Sequence, residues 1–258
     1  MTSVTEPFIG TAGANRARLG LRGRGALVTG ASRGIGRATA LRLAAAGAVV
    51  VATGRDEHAL RSLTIEADGL GAVIRPLRAD LTDHADHDRL LDAARREVGH
   101  LSILVHSAGV HRRDLLAAAS IAHLDEQYAV NVRAPYALTQ MFLPDLIAAH
   151  GDVVFINSTQ GLSATAGVGQ YAATKHALRA VADALRAEVA DAGVRVCSIF
   201  PGRVATPMQE QIFRHEGRPW SPDLLIHPHD VADLVTAAVA LPARAEISEI
   251  TVRPARKS

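Results

Sequence analysis

Short apolar, β-branched runs alternate with alanine-rich stretches along most of this 258-residue chain. The apolar runs predict seven strands, at residues 26–29, 49–53, 72–77, 103–106, 153–157, 195–200 and 250–252. The alanine-rich stretches predict helices near residues 34–46, 56–67, 82–98, 121–149, 170–192 and 230–240, with a looser stretch from 204 to 228. Runs that are apolar on both faces are typical of buried parallel strands. The alternation therefore predicts an α/β, doubly wound, three-layer fold, with a parallel sheet of about seven strands and helices on both faces.

Composition narrows the class of protein. Residues 1–20 show no periodicity and are interpreted as a flexible N-terminal extension, so residues 21–258 form a single domain. A net charge of +2 argues against a nucleic-acid binder, and a single cysteine excludes an intramolecular disulfide and a cysteine-rich metal site. The longest apolar stretch, residues 43–52, is half of what a membrane span needs. We expect a cytoplasmic protein without a membrane or nucleic-acid partner.

The most specific local motif joins the first strand to the first helix, where residues 29–36 read Thr-Gly-Ala-Ser-Arg-Gly-Ile-Gly. Gly30 permits a tight turn, Gly34 lets the backbone approach a phosphate, and Gly36 lets the helix pack on the strand. The helix N-terminus offers free N–H groups and a positive dipole end to a pyrophosphate. The motif predicts a dinucleotide site, although its glycine spacing also suits an ordinary strand–helix turn.

The end of the second strand discriminates between NAD and NADP, because a carboxylate there bonds the ribose 2′-hydroxyl. The strand ends at residues 52–55 in Ala-Thr-Gly-Arg, without an acid at its tip. Arg55 can face Arg33 of the glycine loop, and two guanidinium groups suit a 2′-phosphate. The sequence therefore favours NADP(H), with NAD(H) as the alternative if Asp56 reaches the ribose.

Proton-transfer chemistry is indicated by Ser158 at the end of the fifth strand and by Tyr171, which lies four residues before Lys175. Residues four apart share a helix face, so the ammonium can lie near the phenol and lower the pKa of Tyr171. Such a tyrosine exchanges a proton with a carbonyl or an alcohol near neutral pH. The chain has only two lysines, Lys175 and Lys257, against 26 arginines, and arginine is a poor substitute at this position. By itself, the tyrosine–lysine pair also occurs as a surface accident.

Together these features resemble the short-chain dehydrogenase/reductase family, in its compact single-domain form, from about Arg24 to Pro254. The matching landmarks are the glycine motif, Asp80-Leu81, Ser107-Ala108-Gly109, Asn131, Ser158, Tyr171 with Lys175, and Pro201-Gly202 followed by Val204 and Thr206. The family usually has Asn where this chain has His106. The resemblance implies a Rossmann fold and an NADP(H)-dependent oxidoreductase of the ketoreductase type, which interconverts a carbonyl and a secondary alcohol by hydride transfer.

The resemblance also implies roles for the catalytic residues Asn131, Ser158, Tyr171 and Lys175. Tyr171 is the general acid or base, Lys175 lowers its pKa and bonds the nicotinamide ribose, Ser158 bonds the substrate oxygen, and Asn131 holds a water of a proton relay. The implied cofactor contacts are Gly30, Ser32, Arg33, Gly34, Ile35, Gly36, Arg55, Asp80, Leu81, Ser107, Ala108, Gly109, Asn131, Tyr171, Lys175, Pro201, Gly202, Val204 and Thr206. A homodimer or homotetramer is also implied.

The small carbonyl or alcohol substrate is expected among residues 110–116, 159–168 and 206–221, with a mobile lid at about 204–222. Residues 111–113, His-Arg-Arg, suit either an anionic group or a solvated turn. The Asp- and His-rich residues 83–88 begin a helix, where acids are expected for dipole reasons, so no metal site is predicted. Other reactions on the same fold remain open, namely NAD-linked alcohol oxidation, carbon–carbon double-bond reduction and epimerisation, as does a non-catalytic nucleotide sensor.

Overall fold

A computed structural model describes residues 20–256, so the predicted extension, apart from Gly20, and Lys257 lie outside the described residues. Seven strands form one sheet: β1 Gly25–Thr29, β2 Val49–Gly54, β3 Val73–Arg78, β4 Leu101–His106, β5 Asp152–Ile156, β6 Arg195–Pro201 and β7 Glu249–Val252. Every neighbouring pair is parallel, in the order β3-β2-β1-β4-β5-β6-β7. The predicted doubly wound parallel sheet is confirmed.

Eight α-helices connect the strands in the part of the chain described: α1 Gly34–Ala45, α2 Glu57–Gly69, α3 His84–Val98, α4 Ile121–Tyr128, α5 Ala134–Ala148, α6 Gly169–Val189, α7 Pro207–His215 and α8 Pro228–Val239. The predicted helix over 121–149 is therefore α4 and α5 joined by a π-helical turn, Ala129–Arg133. The stretch expected to be loose contains α7, which begins after the N-cap Thr206, whose hydroxyl accepts a hydrogen bond from the Gln209 N–H. A threonine followed by proline is a helix-start signal that the sequence reading missed.

The helices form two layers, and each layer packs on one face of the sheet through its own apolar core. On one face of the sheet α1, α2 and α8 bury side chains such as Leu43, Leu60 and Val235. On the other face α3, α5 and α6 bury side chains such as Phe142 and Leu178. The edge strands β3 and β7 are largely exposed, so the expectation of strands buried on both faces is wrong at the two edges. None of the helices within residues 20–256 is long and apolar enough to cross a membrane.

The order of the strands creates the position of the site. The connections from β1 lead to β2 on one side, whereas β4 lies on the other side of β1. In such open sheets the crevice at the carboxyl ends of the strands, where the winding reverses, is the usual ligand position. The glycine motif follows β1, residues 107–109 follow β4 and Ser158 follows β5, so three predicted segments lie at this one edge.

Candidate active site

The glycine turn after β1 is tightly packed against the turn after β4. Gly30 has φ +66°, and a Cβ added there would lie 2.7 Å from the Ala108 Cα. A Cβ at Gly36 would lie closer than 3.0 Å to the Gly30 carbonyl oxygen. Side chains are therefore excluded at both positions by backbone atoms, as the motif predicted. The two turns are tied together by Thr29, whose hydroxyl accepts hydrogen bonds from Ser107 N–H at 3.0 Å and Ala108 N–H at 3.1 Å.

A cleft of about 530 Å³ opens at this edge of the sheet. Of the residues predicted to contact a cofactor, its wall contains Gly30, Ser32, Arg33, Gly34, Ile35, Gly36, Arg55, Asp80, Leu81, Ser107, Ala108, Gly109 and Thr206. Gly54, Val110 and Met208 also line it, although the sequence predicted residues 110 and 208 to lie in the segments around the substrate and did not count Gly54 among the cofactor contacts. The backbone cradle and the extended shape of this set fit a dinucleotide.

The remaining predicted contacts lie outside the wall of the cleft. Asn131, Tyr171 and Lys175 belong to a neighbouring cluster of polar side chains. Pro201 ends β6, and Gly202 continues its pairing with β7 through a hydrogen bond from its N–H to the Val252 carbonyl oxygen at 2.8 Å. Val204 forms an isolated bridge with Ile226.

The end of the cleft next to β2 is rich in guanidinium groups. Arg33 is the N-cap of α1, and Arg55 directly follows β2, so both approach the cleft from adjacent turns. The acid that follows Arg55 in the chain, Asp56, is the N-cap of α2, and its carboxylate accepts a hydrogen bond from the Ala59 N–H at 3.0 Å. The Ser32 hydroxyl is buried and has no hydrogen-bond partner among the described residues. A phosphate oxygen would supply the partner that this hydroxyl lacks.

Asp80 and the Asp- and His-rich residues after it form one polar turn. The Asp80 carboxylate accepts hydrogen bonds from the Thr82 N–H at 3.0 Å and the Thr82 hydroxyl at 2.8 Å. The Thr82 N–H, then the Thr82 hydroxyl and Arg55, lower the pKa of Asp80 against the opposing effect of burial. Asp86 accepts from the Asp80 N–H, and the His87 ring bonds the Leu81 carbonyl oxygen. These side chains hold the turn, and within residues 20–256 no group of three such side chains is arranged to hold a metal ion.

Ser158 and Tyr171 meet at the carboxyl end of β5. The Ser158 hydroxyl accepts a hydrogen bond from the Gln160 N–H at 3.1 Å and interacts with the Tyr171 phenol. Burial raises the pKa of Tyr171 to about 12, and the contact with Ser158 lowers it only in part. The prediction of a lowered pKa for this tyrosine is wrong for the chain by itself, because desolvation dominates. The phenol is protonated at neutral pH.

Lys175 lies one helical turn from Tyr171, with its Nζ 5.8 Å from the centroid of the tyrosine ring. Its Nζ donates a hydrogen bond to the Ile156 carbonyl oxygen at 3.0 Å, and burial lowers the pKa of Lys175 to about 8. Asn157, which the sequence reading missed, connects this helix to the strand. Its amide donates to the Lys175 carbonyl oxygen at 3.1 Å and accepts from the Ser158 N–H at 2.8 Å.

Asn131 lies in the π-helical turn between α4 and α5 and holds the loop after β4. Its amide accepts from the Val110 N–H and donates to the Val110 carbonyl oxygen, both at 2.9 Å, and also donates to the Thr174 hydroxyl. Gln127, which is fully buried, accepts a hydrogen bond from the Arg112 N–H at 2.9 Å. The two amides fix the backbone on either side of His111. The water-holding role of Asn131 stays a prediction.

His106 replaces the family's usual Asn without leaving a buried group unpaired. Its Nε2 lies 2.8 Å from the Thr139 hydroxyl, and its ring stacks on Phe155 with the centroids 4.9 Å apart. Burial lowers the pKa of His106 to about 3, so the imidazole is neutral. The side chain belongs to the interior beneath the cleft, while the turn above it is held by the hydroxyl of Thr29.

The loop after β4 also contacts Tyr171 and the lid. The His111 ring lies edge-on to the Tyr171 ring, with the centroids 4.6 Å apart. Arg112 forms a two-pronged pair with Glu126 on α4, at 2.8 and 2.9 Å, so it points along the outside of the site. Arg113 pairs with Glu216, just after α7, at 2.5 Å. Of the three residues expected at the mouth, His111 therefore lies beside the phenol, Arg112 pairs with α4 on the outside, and Arg113 contacts the lid.

Known proteins are similar to this chain over most of its length. A protein of Staphylococcus epidermidis, an uncharacterized oxidoreductase, is 33% identical over 230 residues, which cover 89% of this chain and 96% of that protein. A 1-deoxy-11-beta-hydroxypentalenate dehydrogenase of Streptomyces exfoliatus is 36% identical over 224 residues, covering 85% of this chain and 80% of that protein.

A solved structure and a family model agree with these sequence similarities. A crystal structure of a metagenomic short-chain oxidoreductase in complex with NADP matches with a TM-score of 0.79 and 32% identity, covering 92% of this chain and 99% of that one. The family model for short chain dehydrogenases matches residues 24–217, which run from the start of β1 to the end of α7. With the glycine cradle, the cleft and the serine–tyrosine–lysine cluster all inside the matched region, this chain is a member of the short-chain dehydrogenase family, and thus an oxidoreductase.

Proposed function

We propose that this protein is an NADP(H)-dependent oxidoreductase that interconverts a carbonyl and a secondary alcohol. One observation carries the proposal: Ser158, Tyr171 and Lys175 lie together beside the cleft. The link is direct, since Val110 lines the cleft while Asn131 holds its backbone and also bonds Thr174 on α6. A proton donor beside a dinucleotide cleft is the arrangement that carbonyl reduction requires.

The protein's own residues move a proton at the substrate oxygen. The cofactor, when bound, supplies the hydride to the carbonyl carbon or accepts it from the alcohol. In reduction the Tyr171 phenol donates its proton to the carbonyl oxygen, while the Ser158 hydroxyl donates a hydrogen bond to that oxygen. The Lys175 ammonium then stabilises the phenolate that remains. With a pKa of about 12, the Tyr171 phenol holds its proton at neutral pH, as the proton donor in reduction must.

The preference for NADP(H) is supported by charge at the β2 end of the cleft. Arg33 and Arg55 line it, and the two carboxylates that also line the cleft are engaged: Asp56 caps α2, and Asp80 accepts hydrogen bonds from Thr82. The related metagenomic oxidoreductase was crystallised with NADP. We expect NADPH to bind more tightly than NADH, and Arg55→Asp to lower the affinity for NADPH by about ten-fold or more. Equal affinities in the wild type, or an unchanged preference in the variant, would contradict the assignment.

The catalytic assignment is tested by Tyr171→Phe, which removes the proton donor and little else. We expect kcat for ketone reduction to fall by about 10²–10⁴. The dissociation constant for NADPH, measured by fluorescence, should change less than three-fold. Tyr136→Phe is the matched control, since Tyr136 is 55% exposed on α5 and should retain full activity. Full activity of the Tyr171 variant would exclude the proposed mechanism.

Product analysis separates the alternatives on this fold. Incubation with NADPH and a ketone should yield a secondary alcohol and one equivalent of NADP. Saturation of a carbon–carbon double bond in an enone, or inversion at a carbon without net consumption of NADPH, would indicate a different reaction. The oligomeric assembly, the cytoplasmic location and the mobility of the lid stay predictions.

A further inference from the structure

Arg113 lies where the three segments expected to surround the substrate meet. It belongs to the loop after β4, and its Nη1 donates to the Glu216 carboxylate of the lid at 2.5 Å. Its Nε lies 3.5 Å from the point that a Cβ at Gly167 would occupy, in the loop before α6. The next residue, Asp114, donates its N–H to the Gly167 carbonyl oxygen at 3.0 Å. The Arg113 guanidinium is therefore a component of the substrate side of the site.

Positive charge is in excess at this point. Glu216 accepts hydrogen bonds from Arg113 at 2.5 Å, from Arg203 at 3.0 Å and from Arg218 at 3.5 Å. Burial raises the pKa of Glu216, but Arg203 and Arg113 outweigh it and keep the pKa below its ordinary value. The carboxylate is thus ionised, and this cluster of three guanidinium groups and one carboxylate carries a net charge of +2.

Hydrogen-bond donors are in excess as well. A guanidinium has five N–H groups, and a single carboxylate cannot satisfy three such groups. The Nη1 atom of Arg203 is buried and has no hydrogen-bond partner among the described residues. Arg203 directly follows Pro201-Gly202, and its guanidinium packs on Phe213, 4.9 Å from the centroid of that ring. A fixed, partly paired guanidinium is suited to a second planar oxyanion.

The electrostatic effect of Arg113 reaches the reacting centre. Burial lowers the pKa of His111 to about 4, and Arg113 and Arg112 contribute to the lowering. Of the cluster, Arg113 therefore acts on a ring that lies against the Tyr171 ring, with the centroids 4.6 Å apart, while Glu216 opposes it. A small substrate whose carbonyl oxygen lies at the phenol can extend past His111 toward Arg113.

We infer that Arg113 and Arg203 form an oxyanion subsite, and that the substrate is a small carbonyl compound with a carboxylate or phosphate group at the end away from the reacting carbon. The inference rests on the proposed function for the carbonyl part. Glu216 has the opposing role within the subsite: it holds the guanidinium groups in place and competes with the substrate anion for their donors.

The first test compares an acid with its neutral ester, 4-acetylbenzoate and methyl 4-acetylbenzoate. The measured quantity is the ratio of kcat/KM for the acid to that for the ester, which cancels general damage to the site. We expect the wild type to prefer the acid, and Arg113→Gln and Arg203→Gln each to lower the ratio about ten-fold. Arg112→Gln is the matched control, because Arg112 pairs with Glu126 on the outside, and its ratio should stay within two-fold.

Glu216→Gln separates a subsite from a simple fastening of the lid. If the three arginines serve only to hold the lid, the variant loses activity toward acid and ester alike. If they recognise an anion, removal of the competing carboxylate raises the ratio of acid to ester. A wild type without preference for the acid, or a ratio unchanged by Arg113→Gln, would overturn the inference.

A second test needs no turnover. The single tryptophan, Trp220, lies edge-on to Phe213 with the centroids 5.4 Å apart, and the Arg203 guanidinium lies 4.9 Å from the centroid of that same Phe213 ring. Titration with inorganic phosphate and with 4-acetylbenzoate should change its fluorescence saturably in the wild type, and at about ten-fold higher concentration in Arg113→Gln. If neither ketone is reduced but the titration saturates, the proposed function fails while the subsite stands. The subsite is refuted if the fluorescence does not change saturably with either anion. This outcome includes the case in which an acidic protein, and not a small anion, binds this surface.

Discussion

Replacement of Lys175 by methionine should abolish activity and yet stabilise the fold. The ammonium is 3% exposed, and burial lowers the pKa of Lys175 from 10.5 to about 8. At about 1.4 kcal/mol per pH unit, this shift means that the buried charge destabilises the folded state by about 3 kcal/mol at pH 7. The variant loses the hydrogen bond from Nζ to the Ile156 carbonyl oxygen, worth about 1 kcal/mol. We expect Lys175→Met to be more stable by about 2 kcal/mol at pH 7.

The pH dependence gives this prediction its sign. Because the pKa of Lys175 is lower in the folded state, the unfolded state binds more protons between about pH 8 and 10.5. The stability contributed by this residue therefore rises as the pH rises through that window, and the variant lacks the effect. From pH 7 to pH 9.5 the wild type should gain about 2 kcal/mol relative to Lys175→Met, so that the two become nearly equal.

The assay is urea denaturation of both proteins at pH 7.0 and 9.5, followed by circular dichroism, with free energies extrapolated to water. Tyr171→Phe serves as the control from the same site. Its pKa of about 12 keeps the tyrosine protonated across this range, so its difference from the wild type should be nearly constant with pH. The reasoning is refuted if Lys175→Met is less stable than the wild type at pH 7, or if their difference does not change between the two pH values.

Three further predictions concern the scaffold of the site. Gly36→Ala should abolish NADPH binding and destabilise the fold by about 1–3 kcal/mol, since its Cβ would overlap the Gly30 carbonyl oxygen; calorimetric binding with normal affinity would contradict this. Gln127→Leu should lower kcat/KM about ten-fold in steady-state assays by leaving the Arg112 N–H unpaired, and an unchanged kcat/KM would contradict this. Asp152→Asn should destabilise the fold by about 3 kcal/mol in denaturation experiments, because the carboxylate pairs with two arginines at 2.7 and 2.8 Å. The same variant should leave kcat/KM unchanged, because Asp152 begins β5 and so lies at the opposite end of the strand from the site.

Features encoded by neighbouring residues could be predicted from the sequence. The strands and most helices follow from apolar periodicity, which depends on residues a few positions apart. The glycine positions are constrained by the turn they form, and the structure places Gly30 and Gly36 against backbone atoms, as the motif requires. The proximity of Tyr171 and Lys175 follows from helical spacing alone. These local patterns, taken in their order along the chain, were sufficient to predict the family and therefore an oxidoreductase.

Features that depend on contacts between distant segments could not be predicted from the sequence. The pairing of Arg113 with Glu216 joins residues 103 positions apart, and no local pattern in either segment predicts it. Gln127 is an ordinary polar residue in the sequence, and only the course of the β4–α4 loop makes its amide a clamp on Arg112. The exposed edges of the sheet likewise follow from strand order, which leaves β3 and β7 without a second neighbour.

The pKa values show the same division for a physical reason. Sequence spacing places an ammonium near the Tyr171 phenol and on that ground predicts a lowered pKa, because Coulomb attraction depends on the distance between two charges. Desolvation depends on every atom packed around the group, and these come from β5, α6 and the loop after β4. Burial raises the pKa of Tyr171 and lowers that of Lys175. The sequence by itself determined that Tyr171 and Lys175 meet at the site, because helical spacing is local, whereas the tertiary structure decided their pKa values.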